Sequence, residues 1–318
     1  LGTGNIVGVA TAIVSGGPGA IFWMVASAFL GMITKYAEVL LAVEYQVKGK
    51  DGSLRGGPMY YMKYGLGLPK LGALFAGVCL LASFGVGNMV QSNSVSDALE
   101  SAFGWNKLLV GLGIAVLVGA AAFGGMKQIA RICEKLVPFM ALFYFGACFW
   151  VLGVHIDKLP EAFSLIFRSA FQLRAAGGGI LGYTIATALR FGISRGMFTN
   201  EAGLGSAPIA HGSAEAESPV KQGMWGIFEV FFDTVVMCTL TALVILTSGL
   251  WDSGLNGAAL TTAAFSQVIG RYASGFIAVS TLFFAVSSIL GWYYYGSCCL
   301  QYLSSEKRSV RFYQAAFF

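Results

Sequence analysis

The chain has 318 residues, 56% hydrophobic and only 11% charged, with a net charge of +5 and a mean hydropathy of +0.72. A soluble domain carries roughly 25% charged residues, so the composition excludes a water-soluble globule. It leaves a polytopic membrane protein, with runs that reach the roughly 20 apolar residues needed to span a bilayer. The basic residues sit in loops between apolar runs, which argues against a nucleic-acid surface.

Eight apolar segments follow in chain order, all read as helices because none shows the roughly ten-residue alternation of a membrane β-barrel. The first, residues 2 to about 14, opens on Gly2-Thr3-Gly4-Asn5-Ile6, a glycine-broken stretch read as the start of a half-helix at membrane depth. A Gly-Gly-Pro-Gly turn at 16–19 leads to the second, 20 to about 43. The third is 71 to about 95, the fourth 108–123 and the fifth 136–154. The sixth, 177 to about 210, is the least hydrophobic and carries a second break, Asn200-Glu201-Ala202-Gly203-Leu204-Gly205-Ser206. The seventh is 223–246 and the eighth 275–303, and residues 161–172 read as a short amphipathic helix at the interface. The six cysteines (Cys79, Cys133, Cys148, Cys238, Cys298 and Cys299) lack metal-ligand spacing and read as packing residues.

Charge orients these segments. Lys48, Lys50, Arg55, Lys63 and Lys70 follow the second, Lys127, Arg131 and Lys135 the fourth, and Lys307, Arg308 and Arg311 the eighth. The alternate loops hold fewer: Lys107, then Lys158, Arg168 and Arg174, then Arg271. The positive-inside rule makes the first set cytoplasmic, with a parity that fits eight segments. If the first and sixth segments correspond, each repeat has five helices and the two are inverted. The chain is then one transmembrane domain, 1–318, with a first repeat of about 1–155 and a second, incomplete one of about 177–318. This reading expects the chain to be truncated at both ends.

Paired breaks at corresponding places in two halves point to a transporter's binding site, because lipid tolerates free backbone N–H and C=O groups only where protein or a polar cavity satisfies them. For the first break the alternative is a small-residue helix contact with Asn5 as glue. Asn88 and Gln91 lie three apart on one face of the third segment, where amides need partners. Glu229 and Asp233, four apart, are read as an ion pair or hydrogen-bonded site before a proton relay. Lys35 and Glu38 are expected to neutralise each other, and Arg190 and Arg195 are the expected partners of Glu201. No enzyme signature competes. Thr3-Gly4-Asn5 lacks the lysine of a phosphate loop, His155 and His211 make no metal pair with the cysteines, and no nucleophile–base constellation occurs, so no catalytic residue is assigned.

In its motifs the chain resembles the sodium:alanine (or glycine) symporters. They are Gly2-Thr3-Gly4-Asn5-Ile6-Val7-Gly8, Gly16-Gly17-Pro18-Gly19-Ala20-Ile21-Phe22-Trp23, Gly56-Gly57-Pro58-Met59-Tyr60-Tyr61, Gly87-Asn88-Met89-Val90-Gln91, the second break through His211, and Ile289-Leu290-Gly291-Trp292-Tyr293-Tyr294-Tyr295-Gly296. The resemblance implies an all-α fold of the leucine-transporter (LeuT) type, with inverted five-helix repeats and broken first and sixth helices. It implies sodium-coupled uptake of alanine, glycine or a similar small neutral amino acid, which places the chain in the plasma (bacterial inner) membrane; no obligate protein partner is evident in the sequence. On that reading the substrate meets Thr3, Gly4, Asn88, Gln91 and Trp292. The co-transported sodium ion meets the Leu1 carbonyl, Asn5, Ser287 and Ser288, hard oxygen ligands suiting a hard cation. Asn200, Glu201, Gly203, Gly205 and Ser206 form a gate or second half-site. A proton-coupled transporter of the same architecture, or an uncoupled channel or sensor, are the alternatives.

Overall fold

The computed structural model describes residues 2–49, 52–123, 125–171, 184–304 and 307–318. A single 3-10 turn, Thr3–Asn5, precedes α1 (Val7–Gly16), the two being separated at Ile6. Gly17, at φ 77°, and Pro18 then reverse the chain into α2 (Gly19–Glu44). Beyond α2 come a small ribbon, β1 (Val47–Lys48) antiparallel to β2 (Leu54–Arg55) with Val47 opposite Arg55, and a short α3 (Pro58–Tyr64). The next helix is continuous over 35 residues: α4 (Pro69–Ala82), a π-helical stretch (Ser83–Met89) and α5 (Val90–Phe103).

Two apolar helices follow, α6 (Lys107–Phe123) and α7 (Gly125–Val154), then the amphipathic α8 (Leu159–Ala170). The sixth segment is α9 (Ile185–Asn200), a turn, and the five-residue α10 (Ala207–His211). The seventh is α11 (Pro219–Val230), a second π-helical stretch (Phe231–Cys238) and α12 (Thr239–Thr247). Last come α13 (Gly257–Ile269), α14 (Ala273–Leu303) and α15 (Lys307–Phe317). Among the described residues, five helical stretches are long and apolar enough to cross a membrane, and α1 and α6 are shorter apolar helices. The chain is an all-α polytopic membrane protein.

Four features differ from the sequence reading. Residues 125–135, expected as a basic loop, are the first turns of α7. Long basic side chains reach water from a helix end, so the charges of Arg131 and Lys135 do not require a loop. The third segment runs on to Phe103 because Ser92, Asn93, Ser94 and Asp97, although polar, continue the helix. The helix α13 was not anticipated, since thirteen residues are too few to register as a span. Nor was α15, which is basic at its start and carries Phe312 fully in the open at 76% exposure. Residues 172 and 177–183, expected in the interface helix and the sixth segment, lie outside the described residues.

The largest core cluster forms where α1 packs among α7, α12 and α13. Ile6, Val9 and Ile13 meet Met140, Tyr144 and Phe265 there, all buried. Tyr144 satisfies its hydroxyl against Thr241 Oγ1 at 2.9 Å, which makes burial of the phenol tolerable. The shortness of α1 is compensated by this enclosure: its breaks face protein rather than lipid, as backbone groups at that depth require. All six cysteines are free thiols.

Candidate functional site

The turn at Thr3–Asn5 is held by side chains from two other helices. Thr3 Oγ1 donates to Gln91 Oε1 of α5 at 2.7 Å. Asn5 Oδ1 accepts from the Gly2 N–H at 2.8 Å, closing the turn on itself. Asn5 Nδ2 donates to Asp233 Oδ1 at 2.9 Å and to the Asp233 carbonyl at 3.1 Å. Thr261 of α13 donates to the carbonyl of Ile6, the N-cap of α1, at 3.3 Å, so the unanticipated helix is tied to the start of α1. As first residues of the turn, Thr3 and Gly4 have no intrahelical acceptor for their N–H groups.

The second break is built differently. The helix α9 stops at Asn200 and Glu201 turns left-handed at φ 57°, the one non-glycine residue with positive φ among those described. Gly203 and Gly205 continue the turn at φ 84° and 72°, values that glycine adopts without a Cβ clash. Asn200 Oδ1 accepts from the Ala202 N–H at 2.9 Å, and Asn200 Nδ2 donates to Thr234 Oγ1 at 3.0 Å. Glu201 accepts from Ser206 Oγ at 2.5 Å.

The two breaks touch. A Cβ placed on Gly4 would lie 2.4 Å from Thr199 Cγ2, so the first turn sits directly on the last turn of α9. Around this junction lies a cavity of about 940 Å³. Its deep end is lined by Gly2, Gly4, Gln91, Thr199, Asp233 and Trp292, and its mouth by His211, Gln222, Trp225 and Glu229. Among the lining residues Trp225 is open, at 60% exposure, while Gln91 and Asp233 are buried, at 4% and 3%.

Charge is concentrated at the mouth. Lys35 is completely buried, and its Nζ donates to the Asn200 carbonyl at 2.7 Å and lies 3.7 Å from Glu229 Oε2. Glu229 also meets His211 Nε2 at 3.2 Å, and His211 Nδ1 faces Gln222 Nε2 at 2.8 Å. With Nδ1 accepting from that amide, the proton sits on Nε2 and is donated to Glu229.

Most of the expected site residues come together. Gly4, Gln91, Trp292, Ser287, Ser288, Asn200 and Glu201 all line the cavity, while Thr3 and Asn5 are buried beside it. Ser288 packs on the first break, its Oγ 2.6 Å from where a Gly2 Cβ would stand. Gly203, Gly205 and Ser206 are in the second break but do not line the cavity, and Leu1 lies outside the described residues. Asn88 is separated from the others, its Nδ2 donating to the Phe317 carbonyl at 2.5 Å. The spacing of three does not put Asn88 with Gln91 because a π-helical stretch ends between them, at Met89, and shifts the helical register.

Two expected ion pairs are also corrected. Lys35 pairs with Glu229, while Glu38 accepts from the Gly203 N–H at 3.2 Å. Arg190 lies over the ring of Phe191, and the cation acting on Glu201 is Lys35. In the first case the freed backbone of the second break recruits the two α2 side chains away from each other. Thr199 and Thr234, which complete the junction, were not anticipated. Each is a hydroxyl next to a polar residue already singled out, Asn200 or Asp233, and that is their only signal in the sequence.

The sequence profile of the Sodium:alanine symporter family matches residues 1–318. The chain belongs to the sodium:alanine symporter family. Several family members are close in sequence. An uncharacterized transporter of Haemophilus influenzae is 46% identical over the whole chain and 70% of its own length. The sodium/alanine symporter AgcS of Methanococcus maripaludis is 45% identical with the same coverage. GlnT of Bacillus subtilis, named as a probable sodium/glutamine symporter, is 46% identical over 99% of this chain and 65% of its own. As a member of this symporter family the chain is a non-enzymatic, multi-pass membrane transporter of the cation-coupled amino-acid class.

Proposed function

We propose that this sodium:alanine symporter family chain takes up alanine, glycine or a similar small neutral amino acid together with sodium, by alternating access. The observation that carries this reading is the junction of the two breaks beside a buried carboxylate, all lining one cavity. The free N–H groups of Thr3 and Gly4, with the positive end of the half-helix, receive the substrate carboxylate. Gln91 positions Thr3, and Trp292 forms the wall that limits side-chain size. Sodium, as the second cargo, is held by oxygens of Asn5, Ser287 and Ser288 and the carbonyl of Leu1. To these we add Asp233, whose carboxylate lies 2.9 Å from the Asn5 amide at 3% exposure.

The architecture in this proposal is the LeuT type, with inverted repeats beginning at the two breaks. Asn200, Glu201, Gly203, Gly205 and Ser206 form the gate. The basic ends of the helices face the cytoplasm of a bacterial inner membrane, and the cavity mouth at His211 and Gln222 lies on that side. The conformation is then the inward-facing one.

The test is uptake of labelled alanine, glycine and glutamine by the full-length protein in proteoliposomes, with sodium exchanged for potassium. Concentrative, sodium-dependent uptake of the small substrates supports the proposal. One observation favours a second reading: Glu229 and Asp233 both line the cavity. Uptake indifferent to sodium but collapsed by a protonophore would select proton coupling through that pair, and downhill-only flux would select an uncoupled channel.

A further inference from the structure

We propose that Lys35 is a positioning residue that ties cation occupancy at Asp233 to the opening of the cavity mouth. The inference rests on the symporter reading and extends it to a residue outside the substrate and cation sites. A lysine with no exposed surface in an apolar helix is costly unless its ammonium is paired, because desolvating the charge costs several kcal/mol. Its two partners lie on different elements, Asn200 at the end of α9 and Glu229 on α11.

In one direction an unbroken line of hydrogen bonds leads from Lys35 to the first break. Lys35 Nζ donates to the Asn200 carbonyl at 2.7 Å, and Asn200 Nδ2 donates to Thr234 Oγ1 at 3.0 Å. Thr234 Oγ1 donates to Asp233 Oδ2 at 3.1 Å, while Asp233 Oδ1 accepts from Asn5 Nδ2 at 2.9 Å. Asn5 Oδ1 then accepts from the Gly2 N–H. In the other direction Lys35 lies 3.7 Å from Glu229, which meets His211 on α10. The stem of Lys35 is also gripped by α11, since a Cβ on Gly226 would stand 3.2 Å from Lys35 Cγ.

The physical consequence is a linked equilibrium. A cation at Asp233 competes for the oxygen that Thr234 donates to, which loosens or reorients the Asn200 amide. The Asn200 carbonyl belongs to the same residue and is the direct ligand of the ammonium. If α9 and α11 separate at the mouth, Lys35 keeps either Asn200 or Glu229, and the charge left uncompensated favours a second discrete arrangement. Coupling of this kind is reciprocal: what the cation does to the mouth, the mouth does to cation affinity.

The experiment uses full-length protein carrying Trp225→Cys as a reporter at the mouth, in a Cys133→Ser background. It measures the rate of alkylation by an impermeant maleimide with sodium or potassium, beside the sodium dependence of uptake. Sodium is expected to change the labelling rate in the reporter protein. Lys35→Met is expected to abolish that change and to raise half-saturating sodium about five- to tenfold, the lower part of the usual coupling range. Thr234→Val breaks the same line from its other end and should reproduce both effects, so it decides the matter if Lys35→Met does not fold. A sodium response of labelling that survives in either folded variant overturns the proposal. Sodium-driven uptake without any labelling response in the reporter protein overturns this proposal alone, whereas the absence of both overturns the symporter reading with it.

Discussion

The contact between the two breaks makes a sharp prediction at Gly4. A Cβ there would lie 2.4 Å from Thr199 Cγ2 and 3.4 Å from Phe198 Cδ1. Relieving the first contact requires a displacement of about 1 Å in an interior packed to crystal density. Thr199 is poorly placed to yield, because its Oγ1 donates to the Gly196 carbonyl at 2.8 Å and pins the rotamer. Overpacking of this kind costs about 1–3 kcal/mol. The displacement falls on Thr199 and Thr234, hence on Asp233. Gly4→Ala is therefore expected to fold with a melting temperature lower by a few degrees and to lose most uptake. Gly8→Ala is the control, one turn further along the chain in α1, with nothing within 4 Å of the new Cβ. It should keep uptake and be neutral or gain up to about 1 kcal/mol from helix propensity. Uptake and thermal unfolding of the two purified variants, measured side by side, test the reasoning. Equal uptake by both would show that the junction is not where transport is decided.

The same geometry makes three further outcomes testable. Gly87→Ala would put a Cβ 2.4 Å from Trp292 Cβ, so it should displace the proposed pocket wall and depress uptake at a cost of about 1–3 kcal/mol; a full repertoire of substrates at normal rates would remove Trp292 from that role. Asp233→Asn keeps the size and one of the two accepting oxygens, turns the other into a donor, and removes a buried charge opposite the proposed cation. A loss of about 3 kcal/mol, the low end for breaking a buried charge pair, raises half-saturating sodium about a hundredfold, and an unchanged sodium titration would place the cation elsewhere. Tyr144→Phe removes the partner of Thr241, which keeps its bond to the Met237 carbonyl at 3.2 Å. It should cost about 1 kcal/mol in thermal unfolding and leave uptake intact, because Tyr144 does not line the cavity.

Much of this architecture was legible from elementary rules. Hydrophobic length located the spans, and the glycines at 2 and 4 and at 203 and 205 located both breaks. Polar residues stranded in apolar runs located Gln91 and Asp233. What the sequence hid was pairing. Lys35 and Glu38 lie one turn apart, a spacing that predicts a mutual contact. Yet the free Asn200 carbonyl and Gly203 N–H, produced 165 residues away by the second break, are better partners for each. The sequence likewise hid α13, because thirteen residues are too few to register as a span. Its role is to present Thr261 to the Ile6 carbonyl.

The two π-helical stretches explain why spacing misled at the site while composition did not. They occupy Ser83–Met89 and Phe231–Cys238, on the two helices that contact the first break through Gln91 and Asp233. A π-turn widens the helix and shifts the register of the residues beyond it. The shifted register places Gln91 at the break and leaves Asn88 on Phe317. Asp233, inside the second stretch, presents its carbonyl and its carboxylate to the one Asn5 amide, at 3.1 and 2.9 Å. Helix geometry inferred from spacing therefore fails where the backbone itself serves as a ligand. In this chain that place is the junction of the breaks.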